Sequence, residues 1–271
     1  MNGRDIRLKR LFSHGNAVIV AADHGEFDGP IPGMIDLPAT LAGAVNPIVD
    51  AVLLSPGMVS HCGAVFSRRG GPLSVMRVNW SSVYAFHWGY NDAATAPVVS
   101  VEEAIARGAD IVLASLTLKT GSEERDARNV EVFSRFVTDA RRLGIPLIGE
   151  FFPTRSNELT PEEMHDQVRT GARILAELGA DAIKTFYTHR FQDVVAGCPI
   201  PILALGAKKT PTQLQALQLA EREVRDGARG VVFGRNALQV PDPKRFQAAL
   251  CAVVREGAKA ECAAAQFSLT D

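Results

Sequence analysis

Short apolar segments alternate with helical segments along the chain, and this alternation restricts the possible folds more than any single motif does. Eight segments have the length and the β-branched composition of buried strands. They cover residues 18–22, 51–54, 73–78, 111–114, 145–150, 181–183, 201–205 and 231–233. Helical periodicity and capping signals lie between many of them, at residues 123–143, 160–178, 210–226 and 243–257. The alternation predicts an α/β protein, either a closed barrel or an open, doubly wound sheet.

The number of strands favours the barrel. A (β/α)8 barrel, or TIM barrel, has eight parallel strands in one domain, and the 271-residue chain shows no change of composition at an internal linker. A Gly-Ala-Asp sequence precedes both the fourth and the sixth strand, at Gly108 and Gly179, which indicates a repeated unit. We therefore predict a single (β/α)8 barrel domain over residues 1–271, with a long loop at residues 79–96 after the third strand.

Charge and composition exclude several classes of partner. Hydrophobic residues make up 46% and charged residues 22% of the chain, and the formal net charge is -1. Such a chain has no bulk charge for binding nucleic acid or an anionic membrane. It contains no apolar run of transmembrane length, and its polar N-terminus does not resemble a signal peptide. The scattered cysteines, Cys62, Cys198, Cys251 and Cys262, lack metal-ligand spacing and predict reduced thiols in a cytoplasmic protein.

A lysine near the end of the sixth strand is the first candidate for chemistry. Lys184 is predicted to stand where this strand stops, beside Phe186 and Tyr187. An ammonium group among apolar neighbours loses hydration, which favours the neutral, nucleophilic amine that forms Schiff bases with carbonyl compounds. The other interpretation is a lysine that extends its charged group from the strand end into solvent.

Other polar residues occupy the predicted strand ends, where barrels have their active sites. They are Asp23, His24, Ser55, Arg77, Ser115, Glu150, Lys184, Gly206 and Gly234. Asp23, Glu150 and Lys184 together make an acid–base set suited to carbonyl chemistry. His24 is either a proton shuttle or a structural hydrogen-bond donor.

Two glycine-containing turns follow the seventh and eighth strands. In barrels these two loops often bind phosphate through backbone N–H groups. Gly206, Ala207 and Lys208 form the first predicted phosphate loop, and Gly234 and Arg235 form the second. Glycines let an anion approach the backbone and the cationic side chains add attraction, although either sequence also makes an ordinary turn.

The segment at residues 79–96 is rich in aromatic side chains. It contains Trp80, Tyr84, Phe86, Trp88 and Tyr90. Aromatic residues of this kind form a lid or the wall of a substrate pocket, or a contact between subunits.

Five motifs in this order resemble the DeoC/LacD family of class I aldolases. They are DHGEFDGP at 23–30, GADAIKTFY at 179–187, CPIPIL at 198–203, GAKK at 206–209 and GVVFGRNALQ at 230–239. Within that family the motifs resemble those of archaeal-type fructose-bisphosphate aldolases and of the 3-hydroxy-5-phosphonooxypentane-2,4-dione thiolase of autoinducer-2 catabolism. The resemblance implies that Lys184 forms the Schiff base, that Asp23 assists at the substrate hydroxyls or in proton transfer, and that the two glycine loops hold a substrate phosphate.

The chain departs from the family pattern at two positions. Archaeal-type aldolases carry an acid–base tyrosine after the fifth strand, and Phe152 occupies that position here. A phenyl ring cannot transfer a proton, so we expect Glu150 or His24 to take this role. The usual Gly-Gly of the strand-seven loop is Gly206-Ala207, and the added methyl group narrows the approach of a phosphate.

Together these features predict a class I aldolase, a lyase that cleaves or forms a carbon–carbon bond of a small phosphorylated ketose or diketone. One alternative is thiolase-type acyl transfer from a phosphorylated pentanedione to coenzyme A. An alternative of another class is a non-catalytic barrel that binds a sugar phosphate. We expect no cofactor and no metal, because the iminium ion itself polarises the substrate. The expected partners are a phosphorylated carbonyl compound and further copies of the chain, and neither nucleic acid nor a membrane.

Overall fold

Eight parallel strands form a closed barrel at the centre of the computed structural model, which describes residues 2–90 and 92–270. The strands are β1 (Ala17–Ala21), β2 (Ala51–Leu54), β3 (Leu73–Arg77), β4 (Ile111–Leu116), β5 (Leu147–Phe151), β6 (Ala182–Phe186), β7 (Ile202–Leu205) and β8 (Gly230–Phe233). Each strand pairs with its neighbours in the sequence, and the pairing of β1 with β8 closes the barrel. The predicted (β/α)8 fold is confirmed.

Helices surround the barrel and begin and end largely where the capping residues predict. Those of six or more residues are Gly3–Leu11, Leu37–Ala44, Val101–Ala106, Glu123–Leu143, Pro161–Leu178, Phe191–Ala196, Gln213–Arg225, Pro243–Glu256 and Ala260–Gln266. The shorter ones are Gly25–Asp28, Pro56–Val59, Gly63–Phe66 and Arg235–Leu238. Thr160 accepts a hydrogen bond from the backbone N–H of Glu163, and Gly144 ends its helix in the left-handed conformation. Among the described helices, none combines the length and hydropathy required to span a membrane.

The strands alternate between two apolar layers. Val18 and Val20 of β1 pack outward against the helices, whereas Ile19 and Ala21 belong to a separate cluster inside the barrel. Side chains of a strand point alternately to its two faces, so residues two apart enter the same layer. This alternation determines which side chains reach the barrel mouth.

The first helix closes the opposite end of the barrel and was not predicted. Leu11 lies fully buried in the inner cluster. Arg4 Nε donates to Asp181 Oδ1 at 2.6 Å, and Asp181 Oδ2 accepts from the backbone N–H of Leu147 at 2.8 Å. The polar sequence of this helix hides its role, because the apolar contact with the inner cluster comes from Leu11 at its last position and from Phe12 directly after it.

The segment at 79–96 forms an ordered wall at the mouth rather than a free loop; its residue 91 lies outside the described residues. Asn79–Ser81 and Thr95–Pro97 pair as a short antiparallel hairpin. Asn79 anchors the hairpin to β4, since its Nδ2 donates to the Ser115 carbonyl at 2.9 Å and its Oδ1 accepts from the Ser115 N–H at 2.8 Å. Tyr84 is buried, whereas Trp88 remains largely exposed. The interpretation as a pocket wall therefore fits Tyr84.

Candidate active site

Period-two alternation directs three charged side chains into the barrel mouth. Val75, Ile148 and Ala182 belong to the inner cluster. Arg77, Glu150 and Lys184, each two residues further along the same strands, face the same side and are also buried. Glu150 stands opposite Lys184 in the register of β5 and β6. The sequence predicts this position for Arg77 as a strand end, but no chemical role was assigned to it.

A chain of ion pairs joins these groups to Asp23. Lys184 Nζ lies 2.6 Å from Glu150 Oε1, and Glu150 Oε2 accepts from Arg77 Nη2 at 2.6 Å. Arg77 Nε donates to Asp23 Oδ2 at 2.7 Å. All four residues are at most 7% exposed. Because two cations and two carboxylates alternate, the buried charges compensate one another.

The structure corrects the predicted surroundings of Lys184. The strand does not stop at this residue but continues to Phe186, because the ladder with β7 continues through Thr185 and Phe186. Lys184 has a carboxylate partner, so its surroundings are not simply apolar and its charged group does not extend into solvent. Tyr187 lies outside the mouth, where its hydroxyl donates to Asp226.

Both carboxylates of the network remain ionised despite their burial. Burial alone would raise the pKa of Asp23, but the charges of Arg77 and Lys184 lower it to about 2. Burial likewise opposes ionisation of Glu150, and the same two cations hold its pKa below the ordinary value. Glu150 is therefore a carboxylate in contact with an ammonium group, which allows it to accept a proton from Lys184.

Aromatic rings cover the network. The Arg77 guanidinium lies 4.9 Å from the centroid of the Tyr84 ring and 5.2 Å from that of Phe27. The Phe152 ring packs edge-on against Tyr84 at 4.5 Å and against Phe186 at 4.8 Å. Sequence reasoning did not single out Tyr84, because nothing in an aromatic-rich segment tells which ring turns inward.

A further carboxyl group lies beside the network. Both carboxyl oxygens of Glu26 are buried without a hydrogen-bond partner, and so is Nη1 of Arg77. Burial, reinforced by the charge of Asp23, raises the pKa of Glu26 to about 8. Glu26 is therefore a neutral acid at neutral pH. The sequence contains it within the DHGEFDGP motif but gives no sign of its burial.

His24 lies on the side of the mouth that faces the glycine loops. A Cβ atom on Gly234 would stand 2.3 Å from His24 Cε1 and 2.8 Å from the carbonyl oxygen of Ala21. Burial lowers the pKa of His24, although Asp23 opposes this shift, and its Nδ1 has no hydrogen-bond partner. The ring is therefore neutral and packs against the β8 loop.

Side chains of the β8 loop hold the β7 loop in place. Asn236 Nδ2 donates to the carbonyls of Gly206 at 2.9 Å and Lys208 at 3.1 Å, while Arg235 Nη2 donates to that of Ala207 at 2.8 Å. Ala207 has a φ of 45°, in the left-handed region that favours glycine. Ala207 replaces the second glycine of the family pattern, so a side chain here strains the backbone.

Ser55 and Ser115, which stand at predicted strand ends, do not line the cavity of about 740 Å³ at the barrel mouth, whereas all the predicted catalytic and phosphate-binding residues do. These catalytic and phosphate-binding residues are Asp23, His24, Glu150, Lys184, Gly206, Ala207, Lys208, Gly234 and Arg235. Arg77, Tyr84 and Phe152 line it as well. This volume is suited to a small ligand. Within residues 2–90 and 92–270, no group of three or more His, Cys, Asp or Glu side chains is arranged to hold a metal ion.

Curated relatives match the chain over nearly its whole length. An uncharacterized aldolase of Saccharolobus solfataricus is 32% identical over 263 residues, which cover 95% of this chain and 96% of the relative. A 2-amino-3,7-dideoxy-D-threo-hept-6-ulosonate synthase of Archaeoglobus fulgidus is 32% identical, covering 94% of this chain and 92% of its own. A 3-hydroxy-5-phosphonooxypentane-2,4-dione thiolase of Escherichia coli is 28% identical, covering 96% of this chain and 84% of its own.

Solved structures and a family model agree with these relatives. The crystal structure of an archaeal fructose 1,6-bisphosphate aldolase superposes with a TM-score of 0.77 at 28% identity, over 93% of this chain and 99% of its own. A second archaeal aldolase structure, whose catalytic lysine is covalently bound to a carbinolamine intermediate, has a TM-score of 0.75 at 27% identity, covering 92% and 98%. The model of the DeoC/LacD family aldolases matches residues 17–240. The chain therefore belongs to the DeoC/LacD family and is a class I aldolase.

Proposed function

We propose that Lys184 is the Schiff-base nucleophile and that Glu150 accepts its proton. The observation that carries this proposal is the 2.6 Å contact between Lys184 Nζ and Glu150 Oε1 at the bottom of the cavity. Lysine is the nucleophile of class I aldolases, and it must lose a proton before it attacks a carbonyl carbon. A buried, ionised carboxylate in direct contact is a suitable acceptor.

The proposed reaction proceeds through a covalent intermediate. The neutral Lys184 amine attacks the substrate carbonyl carbon to give a carbinolamine, and loss of water gives an iminium ion. The iminium ion accepts the electron pair of the carbon–carbon bond that breaks. Asp23 supports this step, because its ionised carboxylate lines the cavity and can accept the proton that the substrate hydroxyl releases as the carbon–carbon bond breaks.

We infer that the substrate is a small phosphorylated ketose or diketone. Lys208 and Arg235 bring positive charge to the far side of the same cavity, where the two glycine loops expose backbone groups to an anion. The archaeal relatives of known structure are fructose 1,6-bisphosphate aldolases, and the Escherichia coli relative acts on a phosphorylated dione. These names support a phosphorylated substrate.

Borohydride trapping tests the nucleophile. Dihydroxyacetone phosphate with borohydride should add a mass to the peptide that contains Lys184, and unphosphorylated dihydroxyacetone should label it much more weakly. Lys184→Met should abolish the adduct and lower turnover at least about 10³-fold. The exposed Lys244→Ala serves as a matched control and should label normally. A folded wild-type protein without an adduct on Lys184, across phosphorylated ketoses and diketones, would contradict the proposal.

Phe152 makes one competing reaction worth a direct test. In acyl transfer the coenzyme A thiol attacks the second carbonyl of the dione and takes up the acyl group. The electron pair of the broken bond passes to the iminium ion, and the carbon that loses the acyl group takes up the proton of the thiol. This reaction removes no proton from a substrate hydroxyl, which suits a site where Phe152 replaces the acid–base tyrosine. Product analysis of a phosphorylated dione with and without coenzyme A separates the two. An acyl-thioester that forms only when the wild type, but not Lys184→Met, is present would identify acyl transfer.

A further inference from the structure

Tyr84 is a buried polar group at the site that the mechanism above leaves unused. Its hydroxyl is buried and has no hydrogen-bond partner with normal geometry. A buried hydroxyl without a partner loses free energy relative to a hydrated one. Like Arg77 Nη1 and both Glu26 oxygens, the Tyr84 hydroxyl is unpaired in the free enzyme. An unpaired buried group requires an explanation, and here the explanation is a partner that becomes available at another stage of the reaction.

The structure holds the Tyr84 ring firmly. The ring stacks on the Arg77 guanidinium at 4.9 Å and packs against Phe152 at 4.5 Å. The hairpin that carries it is anchored by Asn79, and Ser82 Oγ accepts a hydrogen bond from the Ala94 N–H at 2.9 Å. The hydroxyl position is therefore set by the surrounding packing.

The centroid of the Tyr84 ring lies 4.9 Å from the Arg77 guanidinium, and Nη2 of that guanidinium donates to Glu150 Oε2 at 2.6 Å, so Tyr84 and Glu150 are neighbours across Arg77. Glu150 and Ser115 are among the side chains that act on the Tyr84 hydroxyl. Burial raises the pKa of Tyr84 well above its ordinary value, and the negative charge of Glu150 adds to this. Tyr84 therefore stays protonated and acts as a hydrogen-bond donor, not as a phenolate base. Glu150 already binds Lys184 through Oε1 and Arg77 through Oε2 in the free enzyme.

We propose that Tyr84 is the positioning residue of Glu150, replacing Lys184 as its hydrogen-bond donor once Lys184 has become bonded to the substrate. Formation of the carbinolamine moves a proton from Lys184 to Glu150 and the lysine nitrogen to the substrate carbon. That proton leaves Glu150 with the carbinolamine oxygen, as water, when the iminium ion forms. The carboxylate then lacks its ammonium partner, and the Tyr84 hydroxyl donates to it.

A hydroxyl from the hairpin thus acts beside Phe152, where archaeal aldolases carry their tyrosine. This inference rests on the proposed function.

Tyr84→Phe is the direct test, because it removes only the hydroxyl and keeps the ring on Arg77. The rate of adduct formation on Lys184 with dihydroxyacetone phosphate should fall about 10- to 100-fold, as expected for loss of a hydrogen bond to a charged group. The half-saturating concentration should change less than about twofold, since the phosphate loops are untouched. The same substitution at the exposed Tyr90 of this segment is the matched control and should change neither value.

The pH profile separates a positioning role from a structural one. A hydrogen-bond donor stabilises the ionised form of a carboxyl group, so its loss raises the carboxyl pKa. At saturating substrate, where Lys184 is bonded to the substrate, the acid limb of the trapping rate should therefore move upward by about one pH unit in Tyr84→Phe. An unshifted profile together with a rate within twofold of the wild type would overturn the inference while leaving the Schiff-base mechanism intact.

A titration of Glu150 tests the contact without any turnover. Lys184→Met imitates the state in which the lysine no longer pairs with Glu150. In carbon-13-labelled protein, the Glu150 pKa in Lys184→Met/Tyr84→Phe should exceed that in Lys184→Met alone by about one unit. Equal values would refute the inference, whatever the substrate. If instead the wild type forms no adduct but this difference is present, the proposed function fails and the contact between Tyr84 and Glu150 stands.

Discussion

The two sides of the barrel mouth are constructed differently. On the side of β3, β5 and β6, the strands themselves carry the charged groups, and Arg77, Glu150 and Lys184 are nearly completely buried. On the side of β7 and β8, loops supply the polar groups, Lys208 is exposed and Arg235 is partly exposed. One side therefore consists of buried side-chain charges, and the other of backbone groups with cations at the rim.

Because of this difference, substitutions on the first side should change the stability of the protein, whereas substitutions on the second side should change mainly its affinity for a ligand. A buried charge is tolerated only with its partners, so a change in the ion-pair network affects folding as well as chemistry. Lys208 is exposed, and Arg235 is partly exposed and makes a hydrogen bond to the Ala207 carbonyl, so the loss of either charge affects mainly the affinity for an anionic ligand. The loop side depends instead on backbone conformation, as the left-handed Ala207 and the close contact of Gly234 with His24 show.

Replacement of Arg77 or of Arg235 by methionine, in two separate variants, should produce the largest contrast in stability. Arg77→Met leaves Asp23 and Glu150 without their shared cation and should lower the free energy of unfolding by about 3–5 kcal/mol. Arg235→Met should lower it by less than about 1 kcal/mol, and should instead weaken the binding of a phosphorylated ligand. Chemical denaturation and ligand titration measure both effects. Similar losses of stability in the two variants would remove the distinction between the two sides.

The ionisation of Glu26, beside the ion-pair network, should make the stability of the protein depend on pH. Its pKa in the folded protein is about 8, above the ordinary value of 4.5. The folded state therefore keeps a proton that the unfolded state releases, and stability falls as pH rises between these two values. Between about pH 5 and pH 8, the free energy of unfolding of Glu26→Gln should therefore decrease by on the order of 2–3 kcal/mol less than that of the wild type.

The melting temperature as a function of pH measures this contribution. The exposed Glu256→Gln is the matched control, and its curve should run parallel to that of the wild type. A Glu26→Gln curve that is also parallel to the wild type would show that Glu26 ionises normally.

Gly234→Ala should destabilise the loop that follows β8. The new Cβ would stand 2.3 Å from His24 Cε1 and 2.8 Å from the Ala21 carbonyl oxygen, so the loop or the ring must shift. We expect a loss of about 1–3 kcal/mol, together with weaker ligand binding. Gly57→Ala is the control, because a Cβ atom there meets nothing within 4 Å. Equal stability of the two variants would contradict the described packing of His24.

Ala207→Gly should give the smallest effect and the opposite sign. Glycine removes the side-chain strain of a φ of 45°, and its greater freedom in the unfolded chain offsets part of this gain. The net stabilisation should be less than about 1 kcal/mol, measured as a small rise in melting temperature. Ala42→Gly, in the helix Leu37–Ala44, should instead destabilise the protein. A loss of stability at Ala207 would contradict the strained conformation.

Much of the fold and part of the site follow from local patterns. The eight strands lie within a few residues of their predicted bounds, because each is a compact β-branched run between turn signals. Period-two alternation from Val75 also predicts that Arg77 faces inward, although the sequence alone did not assign it a role. The end of the sixth strand was misplaced because a lysine is a poor strand signal, and the partner that buries it comes from another strand.

Periodicity and motifs of adjacent residues were enough to predict the barrel, the family resemblance and the set of polar residues at the strand ends. The folded chain alone shows that Lys184 pairs with Glu150, that Arg77 joins Glu150 to Asp23, and that the Tyr84 ring lies on Arg77. These contacts join residues far apart in the chain. They form because charges that leave water together must find partners at hydrogen-bond distance, and closure of the barrel alone brings those partners together.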